Sequence, residues 1–328
     1  MANKTILYFD KVFGDFKNIL REQVPVGFDL LFWSEMNTDE QNEILSKADY
    51  LLVATEKIDQ SKILKARNAK LIQKTGIGVD NIDIEFARLN QLPVANTPGA
   101  NSTGVAELTI LLILALYRKL TVANQATKDG EWLMWELRPN SFEMEGKTHG
   151  FIGFGNIGRE AARRSQAFGT NIIYYDKFRA SKEQEKALNA TYKTLEEVLI
   201  QSDIISLHVP LLPETTGLIG MKELQLMKEN AVLINVSRGG IVNEEDLYHA
   251  IKGKLIAGAG VDVWDTEPPK PNHPLLTLDN VIATPHLGAG TRDTLSRVLK
   301  MCFENIVRVE SGEKPNFVVN NSVEMKKL

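Results

Sequence analysis

The sequence predicts an α/β protein of two doubly wound domains, each a parallel sheet covered by helices. Short apolar runs alternate with amphipathic segments along the whole chain, the pattern that parallel sheets with helical crossovers require. A length of 328 residues supplies two cores of ordinary size. The strand-like runs also fall into two series, with a main crossover near Thr97–Asn101 and a return near Gly288–Thr291.

In the first series the strand candidates are Thr5–Phe9, Asp29–Trp33, Tyr50–Ala54, Lys70–Lys74 and Pro93–Ala95. Helical stretches at Asp15–Arg21, Thr38–Ser46, Asp59–Ala66 and Ile84–Gln91 separate them, enough for one small doubly wound domain. The most apolar stretch, Leu108–Tyr117, has ten residues, about half the ~20 needed to span a bilayer. It reads as a helix buried on most sides, between domains or between subunits. The second series offers strands at Thr148–Gly153, Asn171–Tyr175, Ile204–His208, Ala231–Asn235, Ala257–Val261 and Val281–Ala283. Six strands are what a full dinucleotide-binding sheet requires. A last helical segment runs from about Thr291 to Ser311.

Composition narrows the function classes. Hydrophobic residues make up 43% and charged residues 24%, a globular balance. The net charge of −4 and the lack of a dense basic block argue against nucleic acid as a partner. The single cysteine, Cys302, excludes an intrachain disulfide and a multi-thiolate metal site, and no metal is expected. It lies in a helical run, Leu295–Val309, and reads as a buried small hydrophobe. The N-terminus enters its first strand with no signal-peptide layout, so the expectation is a soluble, cytoplasmic protein without a membrane partner.

Ile152-Gly153-Phe154-Gly155-Asn156-Ile157-Gly158 carries G-x-G-x-x-G between an apolar strand and a helix-like segment, Arg159–Phe168. The first glycine turns the chain, the second admits a pyrophosphate to the backbone, and the third packs helix against strand. The free N–H groups of the helix start then favour the negative charge. A lone motif of this kind is weak evidence. Here a second strand follows and ends in Asp176, where a carboxylate accepts from both adenosine ribose hydroxyls and repels a 2′-phosphate. That favours NAD over NADP, although Lys177 and Arg179 close behind soften the preference.

Three segments at the ends of later strands carry groups suited to redox chemistry on a carbonyl. In Asn235-Val-Ser-Arg238-Gly-Gly-Ile-Val242, the planar fork of Arg238 suits bidentate binding of a carboxylate, or of a carboxylate and its adjacent carbonyl. In Val261-Asp262-Val-Trp-Asp-Thr-Glu267-Pro-Pro269, the prolines stiffen the loop that holds Glu267. In Thr284-Pro285-His286-Leu-Gly-Ala289, one histidine stands where the chain leaves the sheet. Ligands of open α/β sheets bind beyond the carboxyl ends of strands, so the three can converge. Histidine is the natural proton donor to a carbonyl oxygen, and a neighbouring carboxylate fixes its tautomer. Singly, each segment also reads as an ordinary surface turn or loop.

The chain further shows Gly76-Ile-Gly-Val-Asp80-Asn-Ile-Asp83, Asn96-Thr-Pro-Gly, Val105-Ala-Glu107, Gly130-Glu-Trp132 and His208-Val-Pro-Leu-Leu-Pro-Glu-Thr-Thr-Gly217. On these motifs, in this order and spacing, it resembles the D-isomer-specific 2-hydroxyacid dehydrogenase family over nearly its whole length. The resemblance implies an NAD-dependent enzyme that moves a hydride between nicotinamide and C2 of a small D-2-hydroxy or 2-oxo acid. It implies a central Rossmann cofactor domain at 101–289 and a flavodoxin-like substrate domain built from both termini, 1–100 and 290–328. A cleft between them and a homodimer are implied as well.

By matching position, Arg238 would hold the substrate carboxylate and carbonyl, His286 would be the general acid–base, and Glu267 its partner. Asp262 would orient the nicotinamide carboxamide, Asn156 and Ile157 would line the pyrophosphate, and Val209 and Pro210 the adenine side. Thr215, Val236, Ser237 and Gly288 join Gly153, Gly155, Gly158 and Asp176 in the implied cofactor set. Backbone amides around Ile77 and Gly78 would grip the substrate carboxylate. Lys74 matches a basic residue of the phosphoglycerate dehydrogenase branch and would suit a second anionic group; its other reading is a solvated charge at a strand end. Lacking the longer regulatory extensions of that branch, the chain is not expected to show serine feedback through them. Trp132-Leu-Met-Trp135 resembles instead the hydroxypyruvate and glyoxylate reductase branch, where the second tryptophan reaches the partner's site; dimer-core packing is the preferred reading of Trp135.

Some positions depart from the pattern. His149 replaces an apolar residue and reads as a satisfied or partly exposed ring at a strand edge, without a catalytic role. Asn243 stands where aspartate is common, which alters local hydrogen bonding only. His208, His249 and His273 are assigned to structure. Two rivals keep the same scaffold: a phosphite-type oxyanion dehydrogenase gripping its substrate through Lys74, and a dinucleotide-sensing, corepressor-like binding protein. Glu267 argues against a formate enzyme, in which that position is replaced, and the absence of long partner-binding tails argues against the corepressor.

Overall fold

The computed structural model of the chain describes residues 3–320. The chain forms two compact units, one running up to Asn101 and resuming at Arg292, the other spanning Ser102–Thr291.

The first unit holds β1 (Lys4–Tyr8), β2 (Phe28–Phe32), β3 (Tyr50–Val53), β4 (Leu71–Lys74) and β5 (Val94–Ala95), all parallel in the order β2-β1-β3-β4-β5. This is the flavodoxin-like order. Because side chains alternate along a strand, each strand feeds two cores. Ile6, Tyr8, Tyr50 and Leu52 pack on one face against Val298, Leu299, Cys302 and Ile306 of the helix Arg292–Glu310. Leu7, Phe9, Leu51 and Val53 pack on the other against Leu45, Ile63 and Ala87. Cys302 is fully buried, and burial raises its thiol far above the ordinary range.

The second unit holds β6 (Thr148–Ile152), β7 (Asn171–Tyr175), β8 (Ala190–Tyr192), β9 (Ile204–Leu207), β10 (Val232–Asn235), β11 (Gly258–Val261) and β12 (Val281–Ala283). All pair in parallel, in the order β12-β11-β10-β9-β6-β7-β8. Numbered from β6, that is the dinucleotide-binding order 3-2-1-4-5 continued, with its switch point between β6 and β9. The sheet has seven strands where six were expected. The extra one, β8, is a three-residue edge strand paired only with β7, too short to leave an apolar run.

The apolar helix Ser102–Tyr117 packs across β10, β11 and β12 and along the helix Asn156–Ala167. Its burial therefore comes from its own unit, and a Cβ on Gly260 would stand 3.0 Å from Leu112 Cβ. Among the described residues no helix is long and apolar enough to cross a membrane.

His149 corrects one expectation. Its strand β6 lies between β7 and β9, not at an edge, and the ring is fully buried. Nδ1 meets Ser165 Oγ at 2.8 Å and Nε2 meets Ser206 Oγ at 2.9 Å; Ser206 Oγ also meets His208 Nε2 at 2.9 Å. The ring stacks on Phe151 with centroids 3.9 Å apart. Burial, with nearby His208, holds His149 well below the ordinary histidine value, and burial pushes His208 down to about 3. The unfolded chain therefore binds more protons than the folded one as pH drops below 6.5. Stability is full above that value and falls as pH drops through it, by about 1.4 kcal/mol per pH unit for each neutral histidine. Urea unfolding between about pH 6.5 and pH 5 should show this loss, and His149→Gln should remove one histidine's share. An unfolding midpoint that stays flat over this window contradicts the neutral pair.

Candidate active site

The glycine turn leaves the end of β6 at the switch point. Gly153 has φ +94°, and a Cβ there would lie 2.7 Å from the His208 carbonyl; one on Gly158 would lie 2.3 Å from the Gly153 oxygen. Both glycines are demanded by neighbouring backbone. Gly155 differs, because an added Cβ would meet nothing within 4 Å. It precedes the helix Asn156–Ala167, whose start has no side-chain cap. Uncapped N–H groups beside an open backbone suit a diphosphate. Asn156 is exposed and Ile157 half-buried at this start.

Asp176 follows the last residue of β7. Its Oδ2 accepts from Phe154 N at 2.6 Å and its Oδ1 from Phe178 N at 2.9 Å, which ties the glycine turn to the strand end. A carboxylate has about four acceptor positions, so capacity remains for ribose hydroxyls. Lys177 pairs with Glu214 (3.0 Å) and Arg179 with Glu185 (2.8 Å), so both basic neighbours already face carboxylates. Past β9, Val209 and Pro210 lead into a loop closed by Thr215, whose hydroxyl donates to Pro210 O at 2.6 Å and accepts from Leu212 N at 2.8 Å.

The three polar segments leave the ends of β10, β11 and β12, which are neighbours in the sheet. Past β10, Asn235 Oδ1 accepts from both N and Oγ of buried Ser237, and its Nδ2 donates to Arg238 O. Val236 is buried beside them. Arg238 Nη1 donates to Ser237 O at 2.7 Å. A Cβ on Gly239 would stand 2.0 Å from Trp264 O, and Gly240 N donates to Asp265 Oδ1 at 2.6 Å. The arginine turn therefore lies directly on the loop that carries Glu267.

Past β11, the Asp262 carboxylate is fully buried and accepts from Thr284 Oγ1 (2.6 Å), Leu287 N (2.7 Å) and Gly288 N (2.9 Å). Asp262 O also accepts from His286 N at 2.8 Å. His286 has φ +54°, a left-handed conformation that costs on the order of 1 kcal/mol and persists because the surrounding turn is fixed. Its Nδ1 faces both oxygens of Glu267, at 2.9 and 3.1 Å. Burial alone would raise the Glu267 carboxyl; the hydrogen bond and charge of His286, the Trp264 amide and the Arg238 charge outweigh it and hold the group below the ordinary range. The electrostatic reach of Arg238 to Glu267 brings guanidinium, carboxylate and imidazole to one locality.

In the first unit, Lys74 is buried, and its ammonium donates to Ala54 O and to Asn81 Oδ1. The loop beyond it presents Ile77 and Gly78, with Ile77 O accepting from Asn96 Nδ2 at 2.8 Å. Sequence reasoning missed the residues that brace the site. Arg159, directly after the third glycine, donates to Phe154 O (2.8 Å) and Asn156 Oδ1 (2.9 Å). Asn235, Trp264 and Thr284 brace the turns of Arg238, Glu267 and His286 in the same way, Trp264 through N to Glu267 Oε1 (3.2 Å) and Nε1 to Thr284 O (3.2 Å). Only the spacing of Arg159 from Asn156, three residues on a helix, was a usable signal.

A doubly wound parallel sheet with an open glycine turn at its switch point and an acidic residue closing the next strand defines a dinucleotide-binding protein. Residues 110–288 match the family model of the D-isomer specific 2-hydroxyacid dehydrogenase, NAD binding domain. A glyoxylate reductase of Aeropyrum pernix is 39% identical over 324 residues, covering 93% of this chain and 96% of its own length. A D-3-phosphoglycerate dehydrogenase of Archaeoglobus fulgidus is 38% identical over 305 residues, covering 93% of this chain but 56% of its own length. The chain thus spans just over half of that second relative. The structure of a D-lactate dehydrogenase with NAD+ from Lactobacillus jensenii superposes with TM-score 0.82 at 28% identity, over 96% of this chain and 99% of that one. The chain belongs to the D-isomer specific 2-hydroxyacid dehydrogenase family and carries its NAD-binding domain.

The contrast between glycines is testable. Gly155→Val should keep the melting temperature within a few degrees while weakening NADH binding at least tenfold by fluorescence titration. Gly153→Ala should lower the melting temperature itself, because its Cβ meets backbone. Equal behaviour of the two variants would remove the case for Gly155 as the ligand-facing position.

Proposed function

We propose that this chain is an NAD-dependent oxidoreductase acting at C2 of a small D-2-hydroxy or 2-oxo acid, with the His286–Glu267 pair as the observation that carries the reading. When bound, NAD supplies or accepts the hydride. Gly155, Asn156, Ile157, Asp176, Val209, Pro210, Thr215, Val236, Ser237 and Gly288 form its proposed binding set, and Asp262 its carboxamide partner. Glu267 accepts a hydrogen bond from His286 Nδ1–H and so directs Nε2 toward substrate. In the reducing direction Nε2–H gives its proton to the carbonyl oxygen, while the Glu267 carboxylate stabilises the imidazolium beforehand. Arg238 binds the substrate carboxylate and polarises the carbonyl. The Lys74 ammonium, turned to Ala54 and Asn81, supports an unphosphorylated acid of the glyoxylate or hydroxypyruvate type over a phosphorylated one.

An NADH-consumption screen over glyoxylate, hydroxypyruvate, pyruvate, longer 2-oxo acids and 3-phosphohydroxypyruvate tests the reading. Efficient turnover is expected on one of the first two, with NADPH a poorer reductant because of Asp176. His286→Ala should lose about 10²- to 10⁴-fold in kcat yet retain NADH binding; full activity in that variant overturns the assignment.

We also propose that the protein is a homodimer. Trp132, Met134 and Trp135 stand 75%, 53% and 64% exposed on one short arm, with Leu111 and Leu120 also exposed in the same unit. Apolar surface of this kind supports burial against a second copy. Light scattering should give twice the chain mass, and the double variant Trp132→Ser/Trp135→Ser should shift it toward the monomer. A monomeric wild-type chain at micromolar concentration rejects the proposal.

A further inference from the structure

A second carboxylate–imidazole pair stands behind the first, and the chemistry above leaves it unused. Glu244 opens the helix Glu244–Lys252, which Asn243 caps through Asp246 N. Glu245 and Asp246 share its first turn, so the helix dipole has acidic partners without Glu244. The Glu244 carboxylate turns inward. Its Oε2 meets His273 Nε2 at 3.0 Å, and its Oε1 accepts from Asp265 N at 2.9 Å. The side chains of His273 and Glu244 are only 19% and 16% exposed.

Each contact leads to the loop that holds Glu267. His273 meets the ring of Trp264 edge-on at 5.4 Å. Trp264 N donates to Glu267 Oε1, and Trp264 Nε1 to Thr284 O, two residues before His286. Asp265, whose amide Glu244 holds, accepts from Gly240 N through Oδ1, two residues beyond Arg238. The loop needs such a brace: Asp265, Thr266, Glu267 and Pro268 are all exposed and lie in no helix or strand, leaving Trp264 as its buried anchor.

We propose that Glu244, held in place by His273, is a positioning residue that sets the direction of the Glu267 carboxylate toward His286. This rests on the acid–base reading of His286 and Glu267. A contact that served only folding would not need to hold the Asp265 amide, and its loss would not act through Glu267.

The test is a double-mutant cycle in the full chain, with kcat measured on the best 2-oxo acid of the screen. Glu244→Ala should lower kcat about 10- to 100-fold, the usual scale for a small misplacement of a reacting group. NADH affinity and the substrate KM should stay within about twofold. Glu244→Gln keeps an oxygen for the Asp265 amide and should recover most of the rate. In a Glu267→Gln background, Glu244→Ala should change kcat by less than about twofold, because its target is already lost. Independent, multiplicative losses, or an unchanged kcat in Glu244→Ala, overturn the proposal. If Glu244→Ala does not fold, His273→Gln takes its place in the same cycle. If the wild-type chain turns over none of the acids, the functional reading fails separately. The ¹⁵N shift of His286 Nδ1 then decides the positioning role: in Glu244→Ala it should move toward its value in Glu267→Gln, and an unmoved signal rejects it.

Discussion

A carboxylate removed from water must be met by donors, and the way Asp262 meets that demand organises everything at the carboxyl end of the second sheet. The group is fully buried one residue past β11, and it is satisfied by a hydroxyl and two amides that all belong to the turn after β12. Its main chain adds two ties, N to Asn235 O and O from His286 N. The ends of β10, β11 and β12 are thereby joined into one block, and a histidine can be kept at positive φ inside it. The carboxamide role implied by family resemblance is compatible with this geometry. Three of about four acceptor positions are used, which leaves one for an incoming amide N–H.

How much of this could be read from the sequence depends on the range of the constraint. The glycine turn was legible because its three glycines fall within six residues between an apolar strand and a helix, although the neighbour that demands Gly153, the His208 carbonyl, lies far along the chain. Asp176, Arg238, Glu267 and His286 were legible as residues just past apolar strands, since parallel sheets put all such ends on one side. What the sequence concealed lies across longer separations. His273 and Glu244 are 29 positions apart, and nothing near either signals the other. His149 looked like a departure to be tolerated at an edge, because its partners Ser165 and Ser206 come from a helix and another strand. The strand β8 was missed because three residues of edge strand carry no period.

The glycines sort into two kinds once their surroundings are known. Gly153, Gly158 and Gly239 would each drive a Cβ into backbone at 2.7 Å or less, so the fold alone accounts for them. Gly155 has open space where a Cβ would stand, and its conformation (φ −70°) suits any residue. No internal contact explains its small size. The residue before it is held on both sides, Phe154 N donating to Asp176 and Phe154 O accepting from Arg159. A position kept small without an internal reason, inside a turn kept rigid, is what approach by an external phosphate demands.

The same reasoning separates the histidines of the second unit by their surroundings. His286 and Glu267 are both partly exposed and meet through Nδ1, so one imidazole nitrogen is committed to the carboxylate. His149 has both nitrogens bonded in a dry interior, and burial keeps it neutral, which removes it from proton traffic near neutral pH. His273 is largely covered and faces Glu244 through Nε2. These three histidines thus occupy three environments, and of them only His286 joins a carboxylate partner, partial exposure and a nearby guanidinium. Exposure has a structural consequence: a loop whose residues 265–268 all lie open cannot hold its own carboxylate still by packing. Buried Trp264 bonds Glu267 directly through its amide, and the largely covered Glu244–His273 pair holds the neighbouring Asp265 amide, so the direction of Glu267 is fixed from below.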